Sequence, residues 1–204
     1  MVIVENNEQL SSLLKIYFKE DSIVIPISSD EHKHPVDTVI CLLYVQLMSG
    51  EEFMLPFNHS ETLNIDIPNL HSDTKKYTYD KKKLGHFVSV DNVVDVNLLQ
   101  YMSTNEPLNI DDIETSGHHF FNMKHYRKRN INTIIPVLKH LEYCRKLSKI
   151  LKGVIEKCSD SDNVSYNDNV LDNLSYIEQN GLQTTDGMVY SEYNIFTSTG
   201  RPSN

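Results

Sequence analysis

Residues 22–57 constrain the fold more than any other stretch of the chain. "SIVIPI" (Ser22 to Ile27) is a compact β-branched run, the composition that strands favour. A polar loop containing Pro35 follows. Then comes "DTVICLLYVQLMSGEEFMLPF", two apolar runs separated by "MSGEE", which predicts a hairpin turning near Gly50. Three strands, two of them a hairpin, must bury a sheet face against other elements, so the rest of the chain has to supply a cover.

The flanking segments supply helices. "LSSLLKIYFKED" predicts a short amphipathic helix before the first strand. "KKYTYD" (Lys75 to Asp80) alternates as a strand does, "KKKLGHF" runs into a short helix, and "VVDVNLLQYM" has apolar residues at helical spacing. "DDIETSGHHFF" reads as helix and loop, with His118 and His119 expected to pack half-buried beside Phe120 and Phe121. The strongest helix is "NTIIPVLKHLEYCRKLSKILKGVIEK", apolar at 134, 137, 138, 141, 144, 147, 151, 154 and 155, close to a 3.6-residue period. Pro136 falls in its first turn, where a missing N–H is tolerated. "SDSDNVSYNDN" (Ser159 to Asn169) is expected to be a polar linker, and "VLDNLSYIEQNG" a further helix closed by Gly181. The order predicts an α/β core with helices appended on its C-terminal side.

The formal net charge of −9 argues against a nucleic-acid partner. The charge is segregated, however. Lys124, Arg127, Lys128, Arg129, Lys139, Arg145, Lys146, Lys149, Lys152 and Lys157 are opposed only by Glu142 and Glu156, so residues 124–157 carry a net +8 and the remainder of a −9 chain carries −17. Two accounts fit: a polyanion-binding element on a self-repelling body, or a solvated helix face. No run approaches the roughly 18 apolar residues of a membrane span. Met1 is not followed by a cationic and then an apolar segment, so no secretory signal is expected. Cys41, Cys144 and Cys158 lack metal-ligand spacing and point to a reducing compartment. His32 and His34 stand in a loop with no Cys or paired acid and are expected to be solvated rather than metal-bound.

In this order the segments resemble the N-terminal part of a family A DNA polymerase: a 3′–5′ exonuclease-like domain of ribonuclease H-like (DnaQ-type) fold, a mixed sheet with flanking helices, then the start of a helical thumb. "SIVIPISSDEHKHPVDTVICLLYVQLMSGEEFMLPF" looks like the opening strand, loop and hairpin. "YTYDKKKLGHF" looks like the strand, Asp and helix that follow, "VVDVNLL" like the next helix, and "YRKRNINTIIPVLKHLEYC" like the Tyr-xxx-Asp helix that leaves the domain. "LSYIEQNGLQTTDG" is similar to the start of the polymerase region, and "FTSTGRPSN" to its thumb-to-palm motif. The resemblance implies an exonuclease-like domain over residues 1–132 and a thumb segment over 133–204, ending before palm and fingers. It implies that Arg201 reaches the minor-groove side of a primer–template, where a near-degenerate acceptor pattern lets Arg sense pair shape. Thr199 would donate to phosphate, and Arg127, Lys128, Arg129, Arg145, Lys146, Lys149 and Lys152 would touch duplex phosphates without reading sequence.

Exonuclease chemistry of this type uses two metal ions held by four carboxylates. Carried over one by one, the first-strand acids fall on Pro26 and Ser28, the second-motif Asp on Asp80, and the last on Asn130. One carboxylate cannot hold two Mg²⁺ ions. Asp30 and Glu31 lie in the loop beyond the strand rather than on it. The implied site is therefore inactive and metal-free, and Asp80 is expected to cap the "KKKL" helix. Mg²⁺ would be needed only by an intact polymerase, whose palm acids lie C-terminal to the "TGR" motif in the family. The expected partners are a DNA primer–template and the missing C-terminal polymerase portion, with no membrane. The expected location is cytoplasmic, in a host cell if the AT-rich composition marks a virus. The alternative function is a stand-alone, non-catalytic ribonuclease H-like module that binds a replication partner.

Overall fold

The computed structural model describes residues 1–28, 40–57, 65, 67–110, 137–158, 163–185, 187–191, 193, 194 and 196. The elements are β1 (Val2–Ile3), α1 (Asn7–Tyr17), β2 (Ser22–Ser28), β3 (Ile40–Leu47), β4 (Glu52–Pro56), β5 (Lys76–Thr78), α2 (Lys81–Gly85), β6 (Val93–Asp95), α3 (Val96–Thr104), α4 (Val137–Lys157), α5 (Asn163–Asn180), β7 (Leu182–Thr184) and β8 (Gly187–Val189). Six strands form one mixed sheet in the order β1-β4-β3-β2-β5-β6. β3 runs antiparallel to both β2 and β4, while β1–β4, β2–β5 and β5–β6 are parallel pairs. β7 and β8 form a separate hairpin. The expected turn between β3 and β4 is present: Gly50 has φ 104, and its N–H bonds to Leu47 O at 2.9 Å. A side chain at that φ would be strained.

The two faces of the sheet follow from the period of two along β2. Val24 clusters with Leu43, Val45 and Leu47 and is covered by Leu13 and Tyr17 of α1 and Leu84 of α2. Ile23, Ile25 and Ile27 cluster with Leu42, Tyr44 and Met54 and are covered by Val96 and Leu99 of α3 and by α4. The apolar stripe of α4 supplies Leu141, Cys144, Leu147, Leu151 and Val154, the 3.6-period positions of the sequence. Helix α1 is closed by Lys76, which is fully buried on β5. Its Nζ donates to Tyr17 O at 2.6 Å, Glu20 O at 2.8 Å and Thr74 Oγ1 at 2.7 Å, and lies 3.8 Å over the Tyr17 ring. A cation there satisfies carbonyls that the helix end leaves open.

Two expectations are corrected and one element is added. Val93–Asp95 is strand β6, not the first turn of a helix; Asp95 then caps α3 by accepting from Leu98 N at 2.8 Å. A capping Asp splits an apolar run that periodicity alone reads as one helix. The expected linker 159–169 is helical from Asn163. Helix α5 is anchored by the packing of its later turns, where Leu171 and Leu174 are buried, and an anchored helix propagates backwards through polar residues. The β7–β8 hairpin was not expected at all. Gly181, with φ 72, does close α5 as expected. Among the described residues, no helix is long and apolar enough to cross a membrane.

Candidate functional site

The two positions to which the resemblance assigns the first-strand acids, Pro26 and Ser28, lie at the C-terminal end of β2. Pro26 pairs with Leu43 and Ser28 with Ile40, so both stand on the face covered by α1 and α2. Pro26 lies beyond the β2–β5 ladder, which covers only Ser22 and Ile23, so among the described residues no strand on that side requires its missing N–H. Helix α4, into which the segment of Asn130 leads, covers the opposite face, where this end of β2 presents Ile25 and Ile27. Neither face of β2 carries an acid, so the absence of carboxylates does not depend on which residue is matched to the family's motif.

Two acids described at this end, Asp80 and Asp95, serve the backbone. Asp80 N-caps α2, accepting from Lys83 N at 2.9 Å, as the sequence led us to expect. Asp95, buried, bonds Lys81 N at 2.7 Å as well as capping α3. The Ser28 hydroxyl is buried without a hydrogen-bond partner among the described residues. Two Mg²⁺ ions demand several free, hard anionic oxygens. A proline, a hydroxyl and two capping carboxylates do not fit them. Among the described residues, no three His, Cys, Asp or Glu side chains form a group that could hold a metal. Asn130, Asp30, Glu31, His32, His34, His118 and His119 lie outside the described residues.

Arg145, Lys149 and Lys152 of α4 lie at the other end of the sheet. Gln46 pairs with Ile23 and with Glu52, so this end of β3 and β4 is remote from Ser28. Arg145 is clamped by Glu52: Nε meets both carboxylate oxygens at 3.0 Å, and Nη2 meets Oε2 at 2.6 Å. Those bonds hold the Glu52 carboxyl below the usual carboxylate range, against its partial burial, and Tyr44 Oη adds a further bond at 3.0 Å. Lys146 pairs with Glu142 one turn away at 2.9 Å, on the solvent side. Lys149 and Lys152 line an open groove of about 560 Å³ with Gln46, Glu52, Arg145, Gly153 and Glu156. Arg127, Lys128, Arg129, Thr199 and Arg201 lie outside the described residues.

A third cluster was not foreseen. Glu178 of α5 is fully buried and accepts from Lys82 Nζ at 2.8 Å, His86 Nε2 at 3.0 Å and Tyr193 N at 2.6 Å. Lys82 Nζ also donates to Tyr193 O at 2.6 Å. Gln179 Nε2 bonds Gly85 O at 2.8 Å, and Ser175 Oγ bonds Lys82 O at 3.1 Å, so α5 is fastened along the whole of α2. Phe196 packs edge-on against Tyr101 of α3, with ring centroids 5.4 Å apart. The chain leading to residue 197 is thus pinned to the core at Tyr193 and Phe196. Glu178 is the acid of "IEQNG", but nothing local in the sequence marks a partner 92 or 96 residues away.

No protein-family model matches the chain, and no curated protein matches it. Solved structures do. The POL domain of Pol1 from M. smegmatis, in complex with DNA primer-template and dNTP, matches with a TM-score of 0.51 at 14% identity, over 90% of this chain and 33% of that one. NrnC of Brucella melitensis with bound Mg²⁺ matches with a TM-score of 0.49 at 11% identity, over 78% of this chain and 85% of that one. The catalytic core of RRP6 from Trypanosoma brucei matches with a TM-score of 0.44 at 14% identity, over 77% of this chain and 50% of that one. The chain therefore spans half of the RRP6 core and a third of the Pol1 domain. At such identities the likeness is one of fold: a ribonuclease H-like mixed sheet with flanking helices.

Proposed function

We propose that the chain is the N-terminal part of a family A-like DNA polymerase, in which an exonuclease-like domain binds DNA as a scaffold without trimming it. The observation that carries this function is β2: the exonuclease fold is kept around a strand with no acid on either face. Support for the polymerase context comes from the "TSTGR" motif and from the Pol1 likeness, which runs over 90% of the chain and belongs to a protein that holds a primer–template. Lys149 and Lys152 supply the phosphate contacts in the described part of α4, and Arg201 acts at the primer–template when a palm is present.

The test is fluorescence anisotropy on a labelled primer–template across a salt series. The wild-type chain should bind with a steep salt dependence. Lys149→Ala with Lys152→Ala should weaken binding at every sequence tested and make the log–log salt slope shallower by about 2, roughly one per lost lysine–phosphate contact. Unchanged affinity and slope in the double variant, or no binding by the wild type, refutes the proposal.

A further inference from the structure

We infer that the open groove beside α4 is a site for a nucleic-acid phosphate backbone and that Glu52 masks its Arg145 in the free protein, so that DNA must draw Arg145 away from Glu52 to engage it. The inference rests on the nucleic-acid-binding function proposed above. It adds a location, at the end of the sheet away from Ser28, and a masking residue.

The guanidinium fork of arginine meets a carboxylate and a phosphate with the same planar geometry. Glu52 occupies that fork through Nε and Nη2, which stands Arg145 in its phosphate-binding posture with an internal acid in the phosphate's place. Arg145, Lys149 and Lys152 recur at intervals of four and three on one face of α4, spread over about 10 Å of helix axis. That length spans roughly three phosphates of one strand at about 3.4 Å of rise each.

The two partners of the clamp are unequally held. Glu52 is fixed on β4, its side chain 11% exposed, whereas the Arg145 side chain is 52% exposed on a helix surface. When a phosphate competes, it is therefore Arg145 that swings out. Glu52 is not left bare, because Tyr44 Oη at 3.0 Å and Gln46 Nε2 at 3.4 Å still donate to Oε1. Gln46 is itself held by Ser148 Oγ from α4. A partly buried carboxylate that keeps two donors makes the exchange feasible, where one stripped of all partners would oppose it.

The experiment compares wild type, Glu52→Gln, Arg145→Gln and the double variant in the same primer–template anisotropy assay, with folding checked by circular dichroism. Glu52→Gln keeps the shape and an acceptor for Tyr44 but removes the charge that holds Arg145. It should bind about three- to tenfold tighter at low salt, with a salt slope steeper by about 1. Adding Arg145→Gln should cancel that gain. Should Glu52→Gln not fold, Glu52→Asp pulls the carboxylate back by one methylene and should shift affinity in the same direction. If the wild type binds and releasing Glu52 leaves affinity unchanged or weaker, the masking inference is wrong and the DNA-binding function stands. If the wild type does not bind, the function and the inference that rests on it both fall.

Discussion

Glu178 offers the sharpest perturbation. Its carboxylate is fully buried and has three donors from two parts of the chain: Lys82 and His86 on α2 and its C-cap, and the Tyr193 amide. Burial alone would raise its pKa, but the bonds from His86, Lys82 and Tyr193, with the Lys82 charge, outweigh it and hold the carboxyl below the usual range. Glu178→Ala removes the acceptor and strands the Lys82 ammonium in a site where its side chain is 11% exposed. Deleting one partner of a buried pair costs about 3 to 5 kcal/mol. Glu178→Gln keeps the volume and one acceptor and should cost about 2 kcal/mol, the worth of a charge-assisted bond over a neutral one. Against a total stability of about 5 to 15 kcal/mol either loss is large. A depressed carboxyl contributes stability that is present above its unfolded pKa of about 4.3 and is lost as pH falls through the folded value. The wild type should therefore lose its advantage over Glu178→Gln as pH drops below about 4. The assay is urea denaturation at neutral and acid pH, with native-state hydrogen exchange of α5. A Glu178→Gln chain within about 0.5 kcal/mol of wild type at pH 7, the usual range of surface substitutions, would refute the reasoning.

Two further outcomes follow from the core and the pinned segment. Lys76→Met should cost about 1 to 3 kcal/mol in urea denaturation, because the Tyr17 and Glu20 carbonyls lose their donor; burial pushes the Lys76 pKa down to about 8, so wild-type stability should rise between pH 8 and about 10.4 while the variant stays flat there. Tyr101→Ala deletes the ring that meets Phe196, a contact worth about 0.5 to 1.5 kcal/mol, and should speed exchange of the Phe196 amide about three- to tenfold while β2 protection is unchanged.

Elements whose own residues carry their pattern were legible in the sequence. The β2–β3–β4 hairpin group, the short helix α2 with its Asp80 cap, and the apolar stripe of α4 all stand where composition and period put them. The two residues of β1 are too few to carry a period and exist only through pairing with β4. Strand β6 was hidden because Val93, Val94 and Val96 also fit a helix, although Asp95 before "VNLL" was a capping signal that could have divided them. "TTDG" between Gln183 and Met188 was a turn signal for the β7–β8 hairpin. The polar clusters were less accessible. Arg145 and Lys149 read alike as basic residues, yet only the fold brings Glu52, 93 positions away, onto Arg145. Glu178 finds Lys82 for the same reason.

The central claim is that this exonuclease-like fold binds DNA and leaves it whole. The direct measurement is anisotropy of a primer–template labelled at the primer's 3′ terminus, followed with time after protein and Mg²⁺ are added. The account predicts a rise on binding that reverses with added salt and then holds steady. A Mg²⁺-dependent decay to below the value of the free duplex would mean that labelled nucleotide is being released, and would contradict it.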